Sequence, residues 1–470
     1  MITNFRISTL ALAVSLALGG CASSGDYAAK TPTPAVPSAF GWGETPAAAE
    51  QKLPALDANR GSDVRNDPWW QGFGDARLNQ LVLQALDANS NLAAAGFALR
   101  QARLQAGLAE NDLYPQASGS LSASASRSIN HSDGTTRSSA SSVGLSWEVD
   151  LWGRLRAARD VKSWQALASA DDLQATAQSL VGDVCRDYWT LAYLNQSIAA
   201  GDKDLASLER TLKLVEVQYK EGDVSRLELG EAQQTLETQR AAQSALLQQR
   251  VETRNALTVL LDGHPLPLAD EPQSVIQVTT LPVRAGIPAE LLARRPDLRA
   301  AERRLRGSLA NIDATARSYY PALTLTGAVG GGGTALSDVL RNPAATLGAG
   351  LDLPFLNVEK VRLNTEYAGA EYQQAASTFR TTLYTALQDV DNALSARTRL
   401  QEQAAARQRS YLAAQEVARM YEVRYREGNV ALRIWLDAQQ TLRASELALA
   451  QVLRDQVNND VTLILALGGS

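Results

Sequence analysis

The sequence predicts a mixed α/β membrane protein whose single chain supplies four β-strands and two pairs of very long helices, arranged as two structural repeats. Three observations carry this. The same long unit occurs twice, 206 residues apart: Tyr114-Pro115 recurs as Tyr320-Pro321, Asn91-Leu92 as Asp297-Leu298, and Tyr219 to Val224 as Tyr425 to Val430, and Ala232 to Leu236 is repeated letter for letter as Ala438 to Leu442. A constant offset over so many residues marks a duplicated fold, at a period far too long for a solenoid. Each copy holds one pair of short alternating segments. Each copy also holds a proline-free run, Arg154 to about Glu221 and Glu359 to about Glu427, long enough for a helix of roughly 100 Å.

The N-terminus gives the destination. Arg6 forms a positive n-region, Ile7 to Leu18 an apolar h-region, and Leu18-Gly19-Gly20-Cys21 follows. The apolar run is too short to span a bilayer as a helix and suits a signal peptide over residues 1–20. The small residues ending in Cys resemble a bacterial lipobox, in which the Cys21 thiol is acylated and becomes the first residue. Several acyl chains would anchor firmly. Ala22, where an aspartate would imply inner-membrane retention, implies the outer membrane.

Residues 21–66 are rich in Ala, Pro and Ser, with no apolar period, and read as a lipidated tether. Order is expected near Trp69-Trp70. These rings suit a membrane interface or, the favoured placement, packing against the first helices.

The first repeat, residues 67–262, reads helix, two strands, long helix, helix. From Asp75 to about Leu113 there is no proline, and Leu78, Leu81, Val82, Ala85 and Leu86 keep a helical period. Tyr114-Pro115 ends the helix, because the residue before proline leaves helical geometry. Alternation over Ser118 to Arg127 makes the first strand, and Val143, Leu145, Trp147, Val149 and Leu151 mark the second, beyond a polar loop near His131 to Gly134. Residues 263–287 are a proline-rich connection. The second repeat, residues 288–470, gives strands at Leu323 to Val329 and Leu347 to Leu353, with Gly330 to Gly333 read as a flexible hairpin connection. Gly222 and Gly428 end the long helices and turn the chain into antiparallel partners, which at this length form coiled coils.

Composition excludes several functions. Without residues 1–20 the chain has 44 basic and 50 acidic residues, which argues against nucleic acid. Cys185 has no local partner and reads as a lone buried thiol. His131 and His264 lack ligand spacing, and no phosphate loop or nucleophile–base constellation occurs. No cofactor, no metal and no enzymatic activity are expected.

Four strands cannot close a barrel, and open edges cannot be left in lipid. Known single-chain barrels start near eight strands, so at least two chains contribute. Two would give a filled lumen, three a wider bore of twelve strands.

The chain resembles the TolC-like outer membrane factors, in their lipoprotein (NodT-type) branch. The resemblance rests on the Cys21 lipobox, Trp69-Trp70 with Phe73, the two Tyr-Pro junctions, Trp147 to Arg154, Ile287 to Leu298, and Leu436 to Gln439. It implies a homotrimer with a twelve-stranded barrel in outer membrane lipid and a periplasmic helical coiled-coil tunnel. It further implies an exit duct of a tripartite efflux system, with a periplasmic adaptor and an inner-membrane pump docking at the Gly222 and Gly428 turns. Under the resemblance, residues 263–287 form an equatorial belt. Asp437 falls where a carboxylate lines the closed entrance, and Tyr425 and Glu228 where a tyrosine–carboxylate link holds it shut. Three departures from the pattern matter: Val430 replaces a latch arginine, Ile434 a ring aspartate, and Arg433 sits one turn before Asp437. Arg433 stands four residues before Asp437, close enough to pair with it on one helix face. The competing reading is a trimeric lipid-anchored adhesin or coiled-coil spacer, which would not require duplicated hairpins ending in Tyr-x-Glu-Gly turns. A peptidoglycan-active lipoprotein lacks catalytic residues.

Overall fold

A computed structural model describes residues 27–29, 34, 36–37, 64–66, 68–127, 135–275, 291–334, 341 and 343–469. The signal peptide, Cys21, His131 to Gly134, Ile287 to Glu290 and the second half of the proline-rich connection lie outside them. The chain forms α1 (Ala76–Ala88), α2 (Ser90–Asn111), β1 (Gln116–Ser126), β2 (Thr136–Val149), α3 (Arg154–Glu221) and α4 (Arg226–Leu260). It continues with a single turn α5 (Leu291–Arg294), then α6 (Pro296–Arg317), β3 (Ala322–Gly333), β4 (Pro343–Asp352), α7 (Val358–Arg426) and α8 (Leu432–Ala466). The repeats do not fold as separate bodies. One compact unit comprises Phe97–Ala170, Arg299–Thr382 and the described part of Met1–Ala35; the other comprises the described parts of Val36–Gly96, Asp171–Leu298 and Leu383–Ser470.

The first unit holds a four-stranded antiparallel sheet in the order β1-β2-β3-β4. Its register runs without a bulge, pairing Ser120 with Ser142, Ser142 with Gly330, and Gly330 with Ala344. Even-numbered positions therefore share one face and odd-numbered positions the other. The odd face carries every large apolar residue of the sheet: Leu121, Val143, Leu145, Trp147, Val149, Leu323, Leu325, Val329, Leu347 and Leu351. The even face carries Ser, Thr, Ala and Gly, among them Ser120 and Ser142, whose hydroxyls meet at 2.9 Å. Its larger residues, Gln116, Glu148 and Asp352, all lie at the helical end of the strands.

Gly330 to Gly333, expected as a loose connection, are part of β3 and pair with Ser139 to Ser142. A Cβ on Gly330 would stand 2.4 Å from the Ser141 carbonyl oxygen, so the run is strand that tolerates no side chain at that point. β2 likewise begins at Thr136, ahead of its apolar alternation.

Two tryptophans tie the strands to the helices that enter them. Trp147 Nε1 donates to the Leu113 carbonyl beside the first Tyr-Pro junction, at 3.0 Å. Trp152 Nε1 donates to the Pro321 carbonyl of the second, at 2.9 Å, and meets Tyr320 edge-on. Below them, Arg154 grips Glu148 through two hydrogen bonds of 2.9 and 2.6 Å, and Asp150 accepts the Leu155 and Arg156 amides to cap α3.

The second unit has its main core around Trp70, Leu78, Val82, Val181, Val184, Tyr188, Leu191, Leu257 and Val461, with Trp69 and Phe73 at its margin and inside it, respectively. The tryptophan pair thus packs against α1, and Cys185 is a free, fully buried thiol. The stretch from Asp75 is two helices rather than one. Asn89 leaves helical geometry with ψ near 120°, and its Oδ1 accepts the Leu92 amide at 3.0 Å, capping α2. Among the described residues, no helix is long and apolar enough to cross a membrane.

Candidate functional site

The two hairpin turns lie in the second unit and are built alike where the sequence repeats. At the end of α3, Gly222 has φ +85°, its amide reaches the Tyr219 carbonyl, and the Asp223 amide reaches Gln218 at 2.9 Å. At the end of α7, Gly428 has φ +75°, its amide reaches Tyr425, and the Asn429 amide reaches Arg424, also at 2.9 Å. Both are Schellman turns, whose left-handed residue is glycine for want of a Cβ.

The turns differ in how the following helix begins. Ser225 and Glu228 form a capping box on α4: the Leu227 amide donates to Ser225 Oγ, and Glu228 accepts the Ser225 amide at 2.9 Å and its hydroxyl. The corresponding start of α8 is Ala431, whose side chain caps nothing.

Around the turns, Leu208 and Val215 of α3, Ala232 and Leu236 of α4, and Leu432, Trp435 and Leu436 of α8 make one apolar cluster. Tyr421 and Tyr425 of α7 close it. The Tyr425 ring stacks on Trp435, centroids 5.0 Å apart at 19°.

Tyr425 and Glu228 are close but not bonded to each other, contrary to the expected link. The phenol donates to Gln218 Oε1 at 3.2 Å, and Glu228 is committed to the exposed N-terminal amide of its own helix. The Ser225 hydrogen bonds hold the Glu228 carboxyl below its ordinary range. Burial, with the nearby Glu228 charge adding, pushes the Tyr425 phenol up.

Arg433 does pair with Asp437, at 3.9 Å, but shares its guanidinium with Glu231 of α4 at 3.6 Å. Glu231 and Asp437 are equivalent positions of the two repeats, so the arginine stands between two copies of one carboxylate. Side chains 72% and 68% exposed make the Arg433–Asp437 contact worth at most about 1 kcal/mol. Asp437 also borders an open concavity of about 440 Å³, lined by Arg407, Gln440, Thr441, Ala444 and Ser445.

Sequence reasoning missed Gln218, Glu231 and Trp435. The 206-residue offset alone would have found Glu231. Higher along the same helices, Asp204 lies 3.8 Å from Arg443. Burial, with Glu446 adding, pushes its carboxyl up to about 6, and burial pulls the Arg443 guanidinium down. No group of three or more metal-ligating side chains occurs among the described residues.

The family model of outer membrane efflux proteins matches the chain twice, over residues 81–263 and 287–469, the same offset that separates the repeats. The pyoverdine export outer membrane protein OpmQ of Pseudomonas putida is 31% identical over 458 residues, 94% of each chain. The cation efflux system protein CusC of Escherichia coli is 29% identical over 469 residues, 98% of each. The open state of the Neisseria gonorrhoeae MtrE outer membrane channel superposes with a TM-score of 0.80 at 26% identity, covering 94% of this chain and 97% of that one.

Proposed function

The chain belongs to the outer membrane efflux protein family, and on that premise we propose that it is the passive exit duct of a tripartite efflux system. Three copies close a twelve-stranded barrel in the outer membrane. Their long helices continue it as a tunnel that receives small molecules from an inner-membrane pump through a periplasmic adaptor. The duct performs no chemistry of its own.

The observation that carries this reading is the sheet. Its odd face gathers every large apolar side chain of the sheet, as lipid requires, with Arg137, Ser139 and Ser141 confined to the far end of β2, while its even face offers hydroxyls and small side chains to a lumen. Its two edges, β1 and β4, have no partner strand in the sheet. Lipid tolerates no such edge, and four strands are too few to close on themselves. Joining β4 of one copy to β1 of the next repeats the antiparallel alternation, because α2 enters β1 and α7 leaves β4. An adhesin or spacer has no use for a face-sorted sheet of this kind.

In this reading Cys21 carries the acyl groups that place the chain in the lipoprotein branch. The Gly222 and Gly428 turns meet the adaptor, and Tyr425, Glu228, Arg433 and Asp437 surround the periplasmic aperture. Relatives named for pyoverdine export and for cation efflux accord with a duct that accepts what its pump delivers.

The test is native mass measurement in detergent together with conductance in planar bilayers. The expected outcome is a mass of three chains and discrete channel steps. A stable, monodisperse single chain with an intact β signal refutes the reading.

A further inference from the structure

Gly369 lies inside α7, eleven residues after Val358 and far from the other end of the helix. Glycine in a helix interior is destabilising relative to alanine, so a packing reason is expected there. The reason is Tyr27. A Cβ on Gly369 would stand 2.5 Å from both Cε1 and Oη of that ring. Tyr27 meets Tyr372 edge-on, centroids 6.5 Å apart at 73°. It packs on Ile312, Ala368 and Tyr372, all buried, with Leu305 and Leu309 alongside. The socket is thus formed by α6 and α7 within the first compact unit.

We propose that this socket seats the N-terminal arm and sets the length of the leash to the lipid anchor, an inference that rests on the lipoprotein reading of Cys21. Tyr27 is six positions on from Cys21, with five residues between them, a reach of about 20 Å when fully extended. From Gly369 back to Val358 is eleven residues of helix, or about 16 Å, and β4 ends shortly before, at Asp352. With Tyr27 seated, the acylated cysteine reaches the level where the strands begin, with little chain to spare. A socket two turns further along α7 would hold the lipid short of the membrane face. The absent Cβ lets the ring lie against the helix backbone, so the load of the anchor falls on α6 and α7.

Limited trypsin digestion of the full chain, followed at Lys30, tests the socket. Lys30 is three residues beyond Tyr27. In detergent, Tyr27→Ala and Gly369→Val should be cut there at least tenfold faster than wild type, and Tyr27→Phe at the wild-type rate. Because Gly369→Val also stresses α7, the comparison of Tyr27→Ala with Tyr27→Phe decides alone. Equal rates in wild type and Tyr27→Ala overturn the socket. Cys21→Ser should keep the slow cleavage, since the ring needs no lipid to seat. Loss of acylation and loss of the socket are therefore read separately.

The leash has its own arm. Deleting Ser23 to Gly25 leaves two residues between Cys21 and Tyr27, a reach of about 10 Å. In native membranes this variant should be cut at Lys30 at least tenfold faster than wild type, and slowly again when Cys21→Ser is added. Unchanged cleavage in the lipidated deletion overturns the leash.

Discussion

Tyr425 and Trp435 lie face to face across the second hairpin turn, 5.0 Å between ring centroids and 19° from parallel, inside an apolar cluster contributed by four helices. In the proposed aperture, the place of an ionic latch is thereby taken by buried carbon.

Trp435→Ala removes the largest member of that cluster and should destabilise the tip by about 3–5 kcal/mol. Gln218→Ala removes a single hydrogen bond and should cost about 1 kcal/mol. Single-channel recording should show a clear conductance increase for the first and a small one for the second, with normal assembly in both. Conductance unchanged by Trp435→Ala would show that this cluster does not hold the aperture closed.

Arg433 is shared between Glu231 and Asp437, so charge at the aperture should respond in steps. Asp437→Ala should move ion selectivity modestly towards anions, because Glu231 still balances the guanidinium. Adding Glu231→Ala should enlarge the shift, and Arg433→Gln should reverse it. Reversal potentials across a salt gradient measure each step. Identical potentials in all variants would place these groups away from the ion path.

Asp204 gives stability a pH dependence of defined sign. Its carboxyl is pushed up to about 6 in the folded chain against 3.8 for the free side chain. The folded state therefore holds the proton more tightly. The associated stability is fully present below about pH 4 and is lost as pH rises through about 6. Asp187, pushed up to about 6 chiefly by burial, adds a contribution in the same window. Helical unfolding followed by circular dichroism should show a slope between pH 4 and 6 that is reduced in Asp204→Asn, by on the order of 1–2 kcal/mol over the window.

Glu271 has a fully buried side chain. Arg250 and Arg254 each lie 2.9 Å from it, and the Asn195 amide donates to it at 2.9 Å. Removing the carboxylate leaves two half-buried guanidinium groups facing each other. Glu271→Ala should cost about 3 kcal/mol in denaturant unfolding, and the double change with Arg250→Leu should recover part of it.

Cys21→Ser should abolish labelling by a metabolically incorporated fatty acid while leaving barrel insertion intact, since the apolar belt does not depend on lipid. Full label on the serine variant would refute acylation at this position.

Much of the fold was legible because its signals are long and periodic. The extents of α3 and α7 follow from proline-free runs that stop at a glycine, and the Tyr-Pro junctions fix where helix becomes strand. The break at Asn89 was missed because its cause is a single side-chain cap within an otherwise helical pattern. β2 and β3 were read too short for a related reason: serine and glycine runs carry no hydrophobic alternation, and only pairing reveals them as strand. At the turns, the pairing of Arg433 with Asp437 was legible in their spacing of four. The partner of Tyr425 was not, because Glu228 is claimed by a local cap that outcompetes a contact between hairpins.

The sheet has a consequence for the order of its own assembly. Its far half pairs Ser138 to Ser142 with Ser120 to Ser124 and with glycine, a surface on which a two-residue slip changes little. Its near half is pinned by the indole donors of Trp147 and Trp152 and by the interlocking of Trp147 with Leu325. Alignment is therefore decided beside the helices and propagates outward, so that a zipper started at the helical end teaches the featureless serine half its place.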